Sequence, residues 1–457
     1  PPGPAPFPLF GNLLQMKFQI HHDILKKMAS MYGNIFTLWL TGTPVVVLHG
    51  YQAVKEGMTA HAEEVAGRPL SRAFRLMTNG NGVMFSNGHL WKQQRRFGLL
   101  TMRKMGVGKQ NQECQIQEEA HHLVQYLRNT KGKPLDPAVP VTHTVSNVIC
   151  ALILGHRFSI EDKRFLRLVE AVDDISAFAN SVSFYVNDFF VLFYTQIMER
   201  HLAGFITKKN TGARRVNISV IQEGALLLLL CLNLLCHLRM QSKEDAGATY
   251  DKANLLQTIF DLFLAGTETT ATTLRWALLY MVAYPDVQEK VHKELDAVLG
   301  SSRLICYKDR KNLPYTNAVI HEIQRYSNIV LIALPRYTVK DTELLGFPIP
   351  KDTIVLVNID SVLSDPEKWE TPDQFNPGHF LDKDGNFVHR EAFLPFSIGH
   401  RACMGELLAR LELFIIFCTL LQAFTFTLPD GVNEVSTKFV FSSTKKPPPH
   451  QICAIPR

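Results

Sequence analysis

Apolar residues along this chain recur mainly at spacings of three and four, the period of a helix with one buried face. The longest such stretch runs from about Ala253 to Ala283, carries no proline and stops just before Pro285. Roughly 30 residues at about 1.5 Å rise predict a rod of about 45 Å, long enough to cross a whole domain. A second helical run opens after Cys403, where Leu407, Leu408, Leu411, Phe414 and Ile415 share one face. Two segments break the period. Ile35 to Leu40 and Val45 to Leu48, joined by Thr41-Gly42-Thr43-Pro44, predict a β-hairpin, and Ile354 to Ile359 predicts a further strand. The expected fold class is mainly α with a small β subdomain.

Residues 204–246 fit neither pattern well. Ala225 to Cys236 is almost wholly apolar, yet it falls well short of the roughly 20 residues that span a bilayer. A buried or membrane-dipping segment is expected there. No Pro/Gly/Ser-rich linker and no internal repeat divides the 457 residues, so the chain reads as one large domain over 1–457. The formal net charge of +6 is modest for this length and the basic residues are scattered. That balance argues against a nucleic-acid partner and leaves room for a local basic docking face. Eight cysteines form no Cys-x-x-Cys pair, which suits a reducing, cytosol-facing compartment.

The candidate chemistry begins at Cys403, within Phe396-Ser397-Ile398-Gly399-His400-Arg401-Ala402-Cys403-Met404-Gly405. A free cysteine is usually a small buried hydrophobe. Here it precedes a helix, whose positive dipole end favours a thiolate. Gly399 and Gly405 would permit turns with φ > 0 and close backbone approach, and Phe396 could shield the sulfur from water. In the long helix, Ala265-Gly266-Thr267-Glu268-Thr269-Thr270 interrupts the apolar face, and threonines bonding back to i−4 carbonyls predict a local distortion. Glu322 and Arg325, at i and i+3, can pair. Trp91 and Arg95, at i and i+4, share a helical face, with Lys92 and Arg96 on the next. No Gly-x-x-x-x-Gly-Lys-Ser/Thr loop occurs and Gly80-Asn81-Gly82 opens no βαβ unit, so no nicotinamide or flavin site is evident.

The order Trp-x-x-x-Arg, Ala-Gly-x-Glu-Thr, Glu-x-x-Arg, Asn-Pro-Gly-His-Phe and then the cysteine loop resembles the cytochrome P-450 superfamily over nearly the whole chain outside residues 204–246. Phrases such as Phe85-Ser86-Asn87-Gly88 and Pro314 through Glu322 resemble its vertebrate microsomal family-two branch, subfamily J among them. The resemblance implies a cytochrome P-450 fold with haem b (iron protoporphyrin IX) between the long central helix and the cysteine-loop helix. It implies Cys403 as the axial iron ligand, with Arg401, Trp91, Arg95, Arg336 and Arg68 toward the haem propionates. Thr269 would hold a proton-donating group and Glu268 would relay protons, while Ala265 and Gly266 leave room above the iron. Glu322, Arg325 and His379 would form a structural network whose charge depends on the histidine. Phe85, Ala265, Val330 and Leu334 would line an apolar substrate pocket.

The activity implied is insertion of one atom of O2 into lipophilic substrates such as fatty acids or xenobiotics. Electrons would come from NADPH through NADPH–cytochrome P-450 reductase, with cytochrome b5 as a further partner. The Pro-rich start, residues 1–12, resembles the hinge that follows a membrane anchor, and implies the cytosolic face of the endoplasmic reticulum membrane. Two alternatives remain open. One is a haem-thiolate isomerase acting on peroxides, which predicts loss of the acid–threonine pair that this chain retains. The other is a non-catalytic product, motivated by the atypical residues 204–246.

Overall fold

A computed structural model of the chain describes residues 1–16, 22–40, 42–70, 75, 78–179, 251–300, 303–441 and 444–457. The anomalous segment 204–246 lies outside the described residues.

The β-branched runs build one small sheet. β1 (Ile35–Leu40) and β2 (Thr43–Leu48) form the antiparallel hairpin, in register from Ile35 opposite Leu48 to Leu40 opposite Thr43. The second strand therefore starts two residues before the expected Val45. β3 (Arg336–Tyr337) ends the sheet, β4 (Thr342–Leu344) and β5 (Phe347–Ile349) form a separate hairpin, and β6 (Ile354–Val357) returns to lie parallel to β2. The sheet order is β1-β2-β6-β3. Strand alternation divides its side chains between two apolar layers: Val46, Leu48 and Val355 pack on one face, Val45, Val47 and Leu356 on the other. The expected strand 354–359 stops at Val357 because Asn358 caps a helix, its side chain accepting from Ser361 N at 3.1 Å.

Helices make up most of the rest. In chain order they are α1 (His22–Tyr32), α2 (Tyr51–Thr59), α3 (Gly88–Lys104), α4 (Gln110–Asn129), α5 (Ala138–Leu154), α6 (Lys163–Ala179), α7 (Lys252–Ala283), α8 (Pro285–Val298), α9 (Pro314–Ser327), α10 (Ile359–Leu363) and α11 (Glu406–Ala423). The remaining strands are β7 (Phe424–Thr427), β8 (Val440–Phe441), β9 (Lys445–Lys446) and β10 (Cys453–Pro456), with β7 paired to β10 and β8 to β9.

The long helix is α7, whose 32 residues give about 48 Å at 1.5 Å per residue. Asp251 starts it by accepting from Asn254 N at 2.8 Å, and Pro285 begins the next helix. α7 packs against α5, α9 and α11, so it buries residues around most of its circumference. The back-bonding threonines are present, Thr269 to Ala265 O at 2.7 Å and Thr273 to Thr269 O at 2.9 Å. They do not interrupt the helix, which runs unbroken through Gly266. A methyl group at Gly266 would come within 2.6 Å of Ile149 Cδ1, so the glycine serves the close packing of α5 on α7. Among the described residues, no helix is long and apolar enough to cross a membrane.

Candidate active site

A cavity of about 320 Å³ lies between α7 and the start of α11, within the size range of small-molecule sites. Cys403 lines it, and among the described residues no other cysteine does; Cys453 is buried in β10. The loop before α11 is set by its own backbone. Cys403 N donates to Phe396 O at 2.9 Å and Ala402 N to Gly399 O at 3.0 Å.

The sulfur opens onto the cavity but protein encloses it on every other side. That burial pushes the thiol up, while the N–H groups of Gly405 and Glu406 and the Arg95 charge oppose the rise. Gly399 has φ +81°, as expected, and a Cβ there would sit 2.3 Å from Met58 O. Gly399→Ala is therefore expected to destabilise the protein by about 1–3 kcal/mol, read as a lower denaturant midpoint. Gly405 departs from expectation. It sits at the α11 N-cap with φ −91°, a conformation open to any residue, and lines the cavity.

Four arginines converge on the same cavity: Arg68, Arg95, Arg336 and Arg401. Antiparallel bonds between Gly67 and Tyr337 bring Arg68 beside Arg336. Arg68 Nη1 donates to Leu334 O and to Pro335 O, the latter at 3.0 Å. Arg95 donates to Ala402 O at 2.7 Å, and Arg336 to Ser397 Oγ and Ile398 O at 3.1 Å each. Arg401 donates to Ala66 O at 2.8 Å and Ser86 O at 2.7 Å, and its guanidinium stacks 3.8 Å from the centre of the Trp91 ring. Burial, with mutual repulsion, lowers the affinity of these groups for their protons, to about 10 at Arg336 and about 9 at Arg401. Among the described residues no carboxylate pairs with any of them.

Across the cavity, α7 presents Ala265, Gly266, Thr269 and Thr270, with Val330 and Leu334 nearby, as expected. Two expected residues are displaced. Phe85 is buried but does not line the cavity, because Val83 and Met84 N–H bonds to Asp261 (2.8 and 2.9 Å) turn those residues inward instead. Glu268 also stands off the lining. Its Oε1 accepts from Thr444 Oγ1 at 2.8 Å and pairs with Lys446 Nζ at 3.1 Å, which draws it toward the C-terminal strands.

The sequence profile of the family described as Cytochrome P450 matches residues 1–454. This chain belongs to the cytochrome P450 family. Among curated relatives, cytochrome P450 2J5 of Mus musculus is 40% identical over 473 residues, covering 100% of this chain and 91% of the relative. Cytochrome P450 2K4 of Oncorhynchus mykiss and 2C39 of Mus musculus are also 40% identical, covering 100% of this chain and 92% and 94% of themselves. Equal identity to J, K and C members extends the likeness to family two and does not single out subfamily J.

Cytochromes P450 carry haem b on a cysteine thiolate and incorporate oxygen as haem monooxygenases. The cavity fits that group. Arg68 Nε, Arg336 Nε and Nη1, and Arg401 Nη1 are buried donors without a hydrogen-bond partner in the protein. Buried donors left unpaired are costly. Two propionates supply the anionic oxygens that a cluster of unpaired guanidiniums lacks.

The Glu322–Arg325 pair of this cytochrome P450 is fully buried and bidentate, at 2.7 Å for both contacts. Arg325 also donates to Leu363 O, Pro372 O and Gln374 O, so the network closes on backbone. His379 completes it. The Thr371 backbone N–H can only donate, and it points at His379 Nε2 at 3.2 Å. Nε2 is therefore the acceptor, and Nδ1–H donates to Glu322 at 3.2 Å.

Two site residues escaped the sequence reading. Asp261 on α7 ties down the 82–84 turn, accepting also from Gln257 at 2.8 Å, and burial pushes its carboxyl up to about 6 against those hydrogen bonds. Glu412 on α11 lines the cavity, fully buried, beside Thr270. Neither of its oxygens receives a well-formed hydrogen bond. The signal was visible in both cases: each is an acid flanked by apolar residues, Phe260 and Leu262 in one helix, Leu411 and Leu413 in the other.

Proposed function

We propose that this cytochrome P450 oxygenates lipophilic small molecules such as fatty acids or xenobiotics, with Cys403 as its axial ligand and electrons from NADPH through a separate reductase. The observation that carries the reading is one cavity bounded by Cys403, four carboxylate-free arginines and the threonine face of α7. Haem, when bound, supplies the electron transfers and the activation of oxygen. The chain supplies everything around it. Arg68, Arg95, Arg336 and Arg401 would hold the propionates, with Trp91 fixing the Arg401 plane. Thr269 Oγ1 spends its proton on Ala265 O, so its lone pairs are left to accept and hold a proton-bearing group at the cavity. Leu262, Ile149, Val330 and Ala333 exclude water and favour an apolar substrate.

The exposed Lys92 and Arg96 on α3 suit an acidic redox partner such as the reductase or cytochrome b5. Placement at the cytosolic face of the endoplasmic reticulum membrane accords with the cysteine usage, and one domain over 1–457 accords with the span of the family profile. The test is reconstitution with NADPH–cytochrome P450 reductase, NADPH and a long-chain fatty acid under labelled O2. One labelled oxygen atom in the product is expected. Reductase-independent rearrangement of a lipid hydroperoxide would instead establish the isomerase.

A further inference from the structure

Strand β9 is stitched to the long helix from both of its sides. Its two lysines point in opposite directions, as strand geometry requires. Lys445 Nζ pairs with Asp360 at 2.7 Å, and its carbonyl accepts from the Trp276 indole of α7 at 2.8 Å. Lys446 turns the other way and pairs with Glu268 at 3.1 Å and with Asp173 of α6 at 3.0 Å. Thr444, just before the strand, donates to the same Glu268 oxygen.

The three charged groups run in series from Glu268, next to the cavity-lining Thr269, out to solvent. Side-chain exposure rises from 11% at Glu268 through 18% at Lys446 to 58% at Asp173. Burial would lower the Lys446 proton affinity, but the two carboxylates outweigh it and raise it, so the ammonium persists between them. Glu268 and Asp173 are the charged groups that face Lys446 from α7 and α6. The direction of the Glu268 carboxylate is thus decided by the C-terminal strand, not by its neighbour Thr269.

We propose that Lys446, assisted by Thr444, is a positioning residue that holds the Glu268 carboxylate just behind the cavity lining and sets its reach toward Thr269. The inference rests on the monooxygenase reading, in which the acid beside Thr269 takes part in proton delivery. A partly buried pair is held more firmly than an exposed one, so removing the ammonium frees the acid instead of merely weakening a surface contact.

The test compares Lys446→Met with Lys446→Arg in the haem-loaded, full-length chain. Lys446→Met is expected to lower the fraction of NADPH electrons recovered in product several-fold, with more peroxide released and substrate KM unchanged. Lys446→Arg is expected to restore the fraction. On an E268Q background, Lys446→Met is expected to add nothing further. A second readout needs no turnover: in the resting protein, E268Q is expected to speed amide hydrogen exchange at 444–446 several-fold. Unchanged electron recovery in Lys446→Met overturns the proposal, including when exchange does change, since the stitch is then only structural. Failure of the unsubstituted protein to form oxygenated product would sink the functional reading itself, before any variant is made.

Discussion

Cys403→Ser is expected to abolish the red-shifted Soret band of the reduced, carbon-monoxide-bound protein and to reduce product formation by more than about 100-fold, or ~3 kcal/mol in the barrier. The reasons are local. A serine hydroxyl does not ionise near neutral pH, whereas metal coordination draws the proton from a thiol even where burial has pushed that thiol up. The scaffold should survive the change, because the loop is held by backbone bonds from Cys403 N to Phe396 O and from Ala402 N to Gly399 O. The arginine cradle is likewise made by other residues. Haem content is therefore expected to fall much less than the band, which separates loss of the ligand from loss of the fold. Retention of the red-shifted band in Cys403→Ser would mean that another sulfur ligates the iron. Among the described cysteines none is placed to do so, since no other lines the cavity.

What the sequence could and could not convey follows from the range of each interaction. α7 and the hairpin were legible because their signals are local: a proline-free apolar stretch, and β-branched runs around a short turn. The cysteine loop was legible because its residues stand at fixed offsets in one segment. The four arginines come from four distant segments, and their union depended on the family resemblance, not on any spacing. Glu268 illustrates the opposite case. Its place beside Thr269 suggested a cavity-facing acid, but its partners, Thr444 and Lys446, lie far along the chain on a short strand with little sequence signal. Gly405 shows a similar limit. A glycine at that offset suggested a positive φ, whereas the helix start already provides an ordinary conformation.

Glu412→Gln is expected to flatten the fall in stability between pH 5 and pH 8. Glu412 is wholly buried on α11, and burial pushes its carboxyl up to about 8, with Thr270 offering only partial relief. In the unfolded chain the same group ionises near its usual value of about 4.3. Between those two values the folded state keeps the proton and the unfolded state releases it, so each rise of one pH unit removes about 1.4 kcal/mol of stability. The contribution is fully present below the unfolded value and is lost as the pH rises through about 8. Glutamine keeps the shape and removes the titration. Its advantage over the parent chain should therefore grow with pH, from about 1 kcal/mol at pH 5 to about 4 kcal/mol near pH 7.5, less the cost of an unpaired amide, about 1–3 kcal/mol. Denaturant unfolding of both proteins across this range measures the difference directly. Parallel profiles would show that Glu412 is ionised in the folded protein, which would demand more stabilisation of its charge than Thr270 alone offers.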